Sequence, residues 1–524
     1  MRKWGLFIIF FVSIENSFAQ NDYWQQYLRF TINVELNDID KTLTGDESMV
    51  YKNYSPDTLG FIWFHIYPNA YRNESTALFQ QIKYEPEHQN NMTSYSKGSI
   101  KNLAFTVNGV VAKVEPHKKN SYIDIIKVIL PTPLLPGDSV LINTPFLVQL
   151  PSYFSRSGFA AGEFMVCQWY PKPAVYDKNG WHEMPYLDMG EFYSEYASYK
   201  VNIKLPSPYV VSATGVLQND AELQAYKTLG SLNATNAKKA KSFLPIASDA
   251  VKTLTYIADS VPDFAWFADK SFIIQYDTII MNSGRIVDAF TFYHDKRSAW
   301  MESLKYVKDA VRYYSRSIGE YAYPIVQAVD GPKNSSSGGM EYPMVTLVIM
   351  PEAKPFQLDA VIAHEVGHNW FMSMLGTNER TYPWMDEGLN TYFEMWYEAE
   401  PFLAASLLAQ KIPLENKHLV EQKFVEMTIS SIKLNNADPA LSTPSADYYN
   451  SAVYGGLYLK GALWMFLLER AVGKEKVNLA FQNYFRLWKN KHPKPADMQA
   501  AFEQAIKGKL NQFFGLLDKK GKLE

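Results

Sequence analysis

The chain has 524 residues, which is enough for two or three domains of ordinary size. Hydrophobic residues make up 47% and charged residues 20%, as is typical of a globular protein with an ample core. The formal net charge of -3 argues against a nucleic-acid partner, because such proteins usually present a basic surface.

The first residues have the layout of a secretory signal peptide, residues 1–19. A short basic start precedes the apolar run WGLFIIFFVSI, and the small residues Ser17 and Ala19 provide a cleavage site. The run is too short for a comfortable membrane span, which needs about 20 residues. We therefore expect cleavage after Ala19 and an exported protein, periplasmic or secreted. Association with a membrane is expected only if this segment stays uncleaved.

Residues 20–269 are predicted to form an N-terminal β domain. Short runs alternate apolar and polar side chains between turn signals, as in Leu28–Leu36 and Ser198–Leu205. The polar stretch Ser231–Ser242 is interpreted as a loop. Cys167 is the sole cysteine, so no intramolecular disulfide can form, and we expect it to be a buried small apolar residue.

Residues 270–524 are predicted to form a mainly helical domain. Apolar residues recur at helical spacing in several stretches, which are Ala299–Ile318, Leu358–Met374, Gly388–Ala399, Gly456–Val472 and Lys476–Trp488. A short strand is expected at Met344–Met350. Gly473 follows one of the helices and is expected to cap its C-terminus.

The segment Ala363–Trp370 contains a metal-binding pattern. Residues four apart on a helix lie on one face, so His364 and His368 point the same way and can bind one zinc ion. Glu365 follows the first histidine and can act as the general base on a water molecule. A single histidine on an apolar helix is more often a hydrogen-bonded core residue, but two histidines flanking a glutamate at this spacing favour a metal site.

A catalytic zinc ion needs a third protein ligand and one open coordination position. Glu387 lies 19 residues after His368, where the next helical stretch begins. Its carboxylate would complete a set of two histidines and one carboxylate of the thermolysin type, with one zinc ion per chain. The alternative is that Glu387 is a helix N-terminal carboxylate favoured by the helix dipole, although Asp386 fits that role better.

The spacing His-Glu-x-x-His, eighteen residues and then Glu resembles the zinc aminopeptidase (gluzincin) family of aminopeptidase N and leukotriene hydrolase. Upstream, the run GGMEY at 338–342 is similar to the family's Gly-x-Met-Glu-Asn motif. The resemblance implies that Glu341 binds the free α-amino group of the substrate and that Gly338, Gly339 and Met340 are substrate-binding residues. Tyr342 stands where the family usually has asparagine.

Downstream, the run YLKG at 458–461 is similar to the family's Tyr-x-Lys-Gly motif. The resemblance implies that Tyr458 is a catalytic tyrosine whose hydroxyl stabilises the oxyanion of the tetrahedral intermediate. Tyr454 is four residues earlier on the same helix face, so it is an alternative candidate for the catalytic tyrosine. Glu163 is a possible counterpart of the residue that the family's first domain contributes to amino-group binding.

The resemblance extends over nearly the whole chain after the signal segment. The N-terminal segments that are similar to the family are Trp63–Asn69, Gln168–Pro173, Val210–Gly215 and Asp263–Trp266. The implied fold class is α+β, with an N-terminal β saddle or sandwich domain followed by a thermolysin-like, mainly helical catalytic domain. The resemblance is to the family's short, exported, bacterial-like members, so we expect the protein to lack the family's large helical C-terminal domain.

The sequence thus predicts a zinc-dependent aminopeptidase that removes N-terminal residues from peptides with a free N-terminus. Asn369, Asn390 and Glu394 are candidates for orienting the metal ligands. No obligate protein partner is indicated. The alternatives are a zinc endopeptidase with an open cleft, a lipid epoxide hydrolase, and a catalytically degenerate peptide-binding protein of the same fold.

Overall fold

A computed structural model of the protein describes residues 23–85, 96–243, 250–295, 298–333, 338–409 and 413–523. The predicted signal segment lies outside the described residues. Within them, strands dominate the first half of the chain and helices the second half. The fold is therefore α+β, as the sequence predicts.

The first half forms strands β1 to β19. In chain order they are β1 Tyr27–Asn37, β2 Thr42–Lys52, β3 Leu59–His65, β4 Ser99–Lys101, β5 Thr106–Val107, β6 Val110–Val111, β7 Lys113–Pro116, β8 Ile125–Leu134, β9 Ser139–Gln149, β10 Gly158–Ala160, β11 Glu163–Val166, β12 Lys172–Pro173, β13 Tyr176–Asp177, β14 Gly180–Trp181, β15 Ala197–Pro206, β16 Val210–Ala213, β17 Val216–Leu217, β18 Val251–Val261 and β19 Trp266–Asp269. Side chains of β1 alternate between exposed and buried along its whole length, which is the pattern of a strand with one face on the core.

These strands build one large sheet and several smaller ones. The large sheet has nine strands in the order β17-β18-β15-β1-β2-β9-β5-β6, with β4 also paired to β9. Two four-stranded sheets have the orders β10-β11-β19-β16 and β12-β3-β8-β7, and β13 pairs with β14. β1 runs parallel to β15 and antiparallel to β2.

The second half combines a five-stranded sheet with the long helices. The strands are β20 Ile273–Ile280, β21 Ile286–Tyr293, β22 Ile325–Asp330, β23 Gly339–Met340 and β24 Val345–Val348, in the order β20-β21-β22-β24-β23. The helices of the chain are α1 Ala77–Ile82, α2 Asp220–Thr235, α3 Ser303–Ser317, α4 Pro355–His368, α5 Glu387–Ala409, α6 Lys417–Ser431, α7 Ser451–Val472, α8 Lys474–Trp488, α9 Pro495–Ile506 and α10 Asn511–Gly515.

The predicted helices of the second half are present with shifted ends, and β24 is the predicted strand. The helix predicted to run to Met374 instead changes at His368 into a π-helical turn, Asn369–Met374. Strands β20 to β22 were not predicted. Strand β22 is buried throughout, and such short apolar runs carry no periodicity that separates a strand from a helix.

The interpretation of Ser231–Ser242 as a loop is wrong for its first residues, because α2 continues to Thr235. The reason lies in a contact with β20. Gly230 lies so close to this strand that an added Cβ would be 2.6 Å from Cβ of Tyr276, and Asn233 Nδ2 donates a hydrogen bond to the carbonyl of Ile274 over 2.8 Å. Tertiary packing thus extends a helix whose own sequence is a weak helix former.

Helix α7 is long and apolar enough to cross a membrane by composition alone. However, 61% of its most apolar window is buried within the protein, and it packs against α5, α6 and α8. It is therefore a core helix of the helical half. A single cluster of buried apolar side chains connects this region with the β-rich half of the chain.

Candidate metal centre

Three side-chain atoms meet at one point between α4 and α5. His364 Nε2 lies 3.1 Å from His368 Nε2 and 3.3 Å from Glu387 Oε2, and His368 Nε2 lies 3.4 Å from the same carboxylate oxygen. A tetrahedral zinc ion bound at about 2.0–2.1 Å holds its ligand atoms about 3.3 Å apart. The observed spacing therefore fits zinc with these three ligands.

Close packing of α4 on α5 brings the ligands together. An added Cβ at Gly367 would lie 2.1 Å from Asn390 Oδ1, so only glycine permits this approach. Asn390 Nδ2 donates to the carbonyl of His364 over 2.7 Å, and Asn390 Oδ1 accepts a hydrogen bond from Tyr314 over 2.7 Å. The fully buried Asn390 thus fixes the helix that carries the first histidine, as the sequence suggested.

A carboxylate contacts the remote nitrogen of each histidine. His364 Nδ1 lies 2.8 Å from Glu394, and His368 Nδ1 lies 2.6 Å from Asp386. Such partners fix the tautomer and orientation of a ligating imidazole. Burial opposes protonation of His364, but the Glu394 and Glu387 carboxylates outweigh it and raise its pKa to about 10.

Two sequence-based assignments change at this point. Asp386 was considered only as a helix-terminal carboxylate, but it is buried and orients His368. Asn369 does not contact a ligand: its Oδ1 accepts a hydrogen bond from the backbone N–H of Met344 over 3.0 Å. Asn369 therefore holds the start of β24 rather than the metal.

Glu365, the predicted base, lies beside the ligands and faces the edge strand β23. An added Cβ at Gly339 would be 2.2 Å from Glu365 Oε1, so glycine at this position makes room for the carboxylate. Among the described residues, Glu365 Oε2 has no hydrogen-bond partner. Burial raises the pKa of Glu365 to about 7, and the nearby imidazoles only partly offset this effect.

Tyr458 reaches the same point from α7. Its hydroxyl donates to Glu387 Oε1 over 2.5 Å. Helices α5 and α7 come close enough for this contact because glycines face each other: an added Cβ at Gly461 would be 2.5 Å from Cα of Gly388. Tyr454 points elsewhere, with its hydroxyl 3.5 Å from Glu379 Oε1, so Tyr458 is the tyrosine at the ligands.

Two carboxylates lie at one end of the cleft. Glu341 is 4% exposed, and its Oε1 has no hydrogen-bond partner among the described residues. Burial and then the charge of Glu191 raise the pKa of Glu341 well above its usual range. Glu191 comes from the β-rich half and is held by Arg156, whose Nε donates to Glu191 Oε2 over 2.8 Å.

The sequence left the contribution of the β domain open and named Glu163 only as a possible residue. Glu163 is remote from this cleft and lies 3.1 Å from His294 Nε2, near Asp269. It was chosen without a motif, and Glu191 occupies the expected place instead. No local signal marks Glu191, because its role depends on how the two halves of the chain pack.

The remaining predicted substrate-binding residues line the cleft. It has a volume of about 480 Å³, and Gly338, Gly339 and Met340 form part of its wall together with Glu341. Tyr342 turns away from the cleft: it is 2% exposed and packs at the side of Phe267. The tyrosine that stands where the family motif usually has asparagine is thus packed between the two halves of the chain.

Known proteins are similar to this chain in sequence and in fold. Residues 302–516 match the family model described as Peptidase family M1 domain. Glutamyl aminopeptidase of Bos taurus is 23% identical over 284 residues, which are 51% of this chain and 29% of that protein. Leucine aminopeptidase 2 of Coccidioides immitis is 28% identical over 192 residues, or 34% of this chain and 29% of that protein. The chain thus matches less than a third of the length of these curated relatives.

The fold is shared over nearly the full chain with a solved structure. The M1 zinc metallopeptidase of Deinococcus radiodurans has a TM-score of 0.59 at 14% identity, with 94% of each chain covered. The likeness to this structure is one of fold, and the three ligand atoms of the site fit zinc. The match to the Peptidase family M1 domain covers the helical part of the chain, residues 302–516.

Proposed function

We propose that the protein is a zinc aminopeptidase that removes N-terminal residues from peptides. The observation that supports this most strongly is the presence of two buried carboxylates, Glu341 and Glu191, at one end of the cleft that contains His364, His368 and Glu387. A buried anionic pocket of this kind suits the ammonium group of a substrate, because a charge-assisted hydrogen bond offsets the cost of burying both ions.

Each residue has a defined role in this proposal. A zinc ion held by His364, His368 and Glu387 supplies Lewis acidity, which lowers the pKa of a water molecule and polarises the scissile carbonyl. Glu365 accepts the proton of the attacking water and delivers a proton to the leaving amine. Tyr458 donates a hydrogen bond to the developing oxyanion once its hydroxyl leaves Glu387.

The shape of the cleft favours an aminopeptidase over an endopeptidase. Beyond the anionic pocket the cleft is closed by a segment that contains Gly190, where an added Cβ would lie 2.2 Å from Ser445 Oγ. Tyr454 lies on the same side and is buried. A substrate with a further residue on the N-terminal side of the bound amine would meet this wall, so the proposed cleavage follows the first residue.

Related structures are consistent with this substrate class. A variant of the Deinococcus radiodurans M1 zinc metallopeptidase is bound to a Tyr-Ser-Ala substrate. Aminopeptidase A of Legionella pneumophila was solved in complex with aspartic acid, has a TM-score of 0.63 at 15% identity, and covers 96% of this chain, which is 50% of that protein. The preferred first residue of the substrate is a separate question that a panel of aminoacyl reporters addresses.

Acetylation of the substrate α-amino group is expected to lower kcat/KM by at least about 10²-fold. The reason is that an acetylated amine has no charge, so Glu341 remains buried without a cationic partner, and leaving such a charged group unpaired costs about 3–5 kcal/mol. The measurement compares one tripeptide with its N-acetylated form by mass spectrometry of the products.

The matched control is the same tripeptide with an amidated C-terminus, which should be cleaved at nearly the unmodified rate. Efficient hydrolysis of the acetylated peptide, or cleavage at an internal bond, would instead identify an endopeptidase that uses the same metal ligands.

We also infer that the protein is exported, on the basis of residues 1–19 alone. Expression of the full chain in a bacterial host is expected to give a product that starts at Gln20 and is released with the periplasmic fraction. N-terminal sequencing and fractionation provide the measurement. A product that keeps Met1 and sediments with the membrane would show an uncleaved anchor.

A further inference from the structure

Glu379 is a buried glutamate for which the proposed reaction has no direct use. It lies in the segment that joins the π-helical turn to α5 and is 1% exposed. The sequence analysis assigned it no role. A buried carboxyl group destabilises the fold unless contacts with its partners replace the lost hydration. The contacts of Glu379 therefore indicate what it does.

One carboxyl oxygen of Glu379 holds the β-rich half of the chain. The backbone N–H of Glu191 donates to Glu379 Oε1 over 3.1 Å. The next residue, Arg380, donates from Nη1 to the carbonyl of Met189 over 2.8 Å. Glu379 and Arg380 thus hold the backbone on both sides of Gly190. These two contacts place the Glu191 carboxylate in the anionic pocket.

The other oxygen of Glu379 faces the metal centre. Glu341, Glu379 and Asp386 offer carboxyl oxygens within 4.8 Å of one another. Among the described residues, Glu379 Oε2 and Asp386 Oδ2 are buried and have no hydrogen-bond partner. Burial, and then the charge of Asp386, raises the pKa of Glu379 well above its usual range, which favours a protonated Glu379 beside Asp386 over two neighbouring carboxylates. Asp386 in turn reaches the zinc ligand, because its Oδ1 lies 2.6 Å from His368 Nδ1.

We propose that Glu379 is a positioning residue that fixes the distance between the amine-binding carboxylate Glu191 and the zinc ligand His368. It contacts neither substrate nor metal and acts through Glu191 on one side and Asp386 on the other. This inference depends on the aminopeptidase function proposed above. The distance between Glu191 and His368 matters because the anionic pocket must hold the substrate amine while the zinc site holds the scissile carbonyl. Small displacements of bound groups lower the rate steeply.

Three variants of Glu379 separate this role from others. Glu379→Ala removes both contacts, and we expect zinc affinity to fall on the order of tenfold and KM for an aminoacyl reporter to rise on the order of tenfold. Glu379→Gln keeps an oxygen for the Glu191 N–H and gains an amide donor for Asp386, so both values should stay within about threefold of wild type. Glu379→Asn has the same amide on a shorter side chain, cannot span both contacts, and should resemble the alanine variant.

Zinc affinity is measured by competition with a chromogenic chelator, and KM and kcat by initial rates. Glu35→Ala is the control, because Glu35 is an exposed strand residue that pairs with Lys204 on the surface. Unchanged zinc affinity and KM in Glu379→Ala would overturn the proposal, as would equal losses in Glu379→Gln and Glu379→Ala.

The design also covers two further outcomes. If circular dichroism shows that Glu379→Ala does not fold, the contrast between Glu379→Asn and Glu379→Gln decides in its place. A wild-type protein that binds zinc but cleaves no aminoacyl substrate refutes the aminopeptidase function. In that case the zinc affinities of the same variants still support or refute the link from Glu379 to His368.

Discussion

Replacement of Glu365 by glutamine is expected to lower kcat/KM by about 10³-fold or more and to leave zinc bound. Loss of a general base costs about 10²–10⁴-fold, and here the same group serves both proton transfers. The amide cannot accept a proton, but it has the shape of the carboxylate and still fits against Gly339. Zinc remains because its ligand atoms belong to His364, His368 and Glu387.

Zinc content is measured by inductively coupled plasma mass spectrometry and turnover with an aminoacyl reporter. The matched control is Glu400→Gln, because Glu400 is a partly exposed residue near the middle of α5 that pairs with Arg316 and is remote from the cleft. This control should keep the activity of the wild type. Turnover of Glu365→Gln near the wild-type level would exclude Glu365 as the base.

Removal of zinc by a chelator is expected to abolish more than about 99% of the activity without unfolding the protein. The fold should persist because Glu394 and Asp386 still hold His364 and His368 through their Nδ1 atoms. Added zinc should restore activity. Thermal unfolding of the chelated protein, followed by circular dichroism, tests whether the fold persists without zinc. Titration with zinc tests whether the activity returns.

Zinc binding should also release protons and weaken as the pH falls. Ligating imidazoles must be neutral, whereas the neighbouring carboxylates raise the pKa of His364 to about 10, so at pH 7 it holds a proton that zinc must displace. Calorimetry in buffers of different ionisation enthalpy measures the protons released. Activity that survives complete chelation, or zinc affinity that is unchanged between pH 8 and pH 6, would contradict this description of the site.

Local spacing was sufficient to predict the metal ligands. His364 and His368 are four residues apart on one helix, so their direction depends on helix geometry alone. Glu387 required one additional assumption, that the next helix packs against the first. The helices themselves were predictable because long amphipathic patterns are unambiguous, unlike the short buried strands β20 to β22.

The partners of these ligands were not predictable in the same way. Asp386 stands at the start of a helix, where a carboxylate has an ordinary local explanation, and only the packing of α4 on α5 shows that it contacts His368. Glu163, the possible residue of the β domain, lies at His294, whereas Glu191 lines the cleft. No spacing rule connects Glu191 with Glu341, since 150 residues separate them in the sequence.

The sequence by itself therefore led to the prediction of the metal, its ligands, the base and the class of reaction, because these depend on residues whose relative positions a single helix or a short motif fixes. The tertiary structure decided how the anionic pocket is closed and which residues hold it. Those contacts, from Arg156 and Glu191 to Glu379 and Asp386, join segments far apart in the chain. Their geometry is set by the packing of the β-rich half on the helices, and no local pattern encodes it.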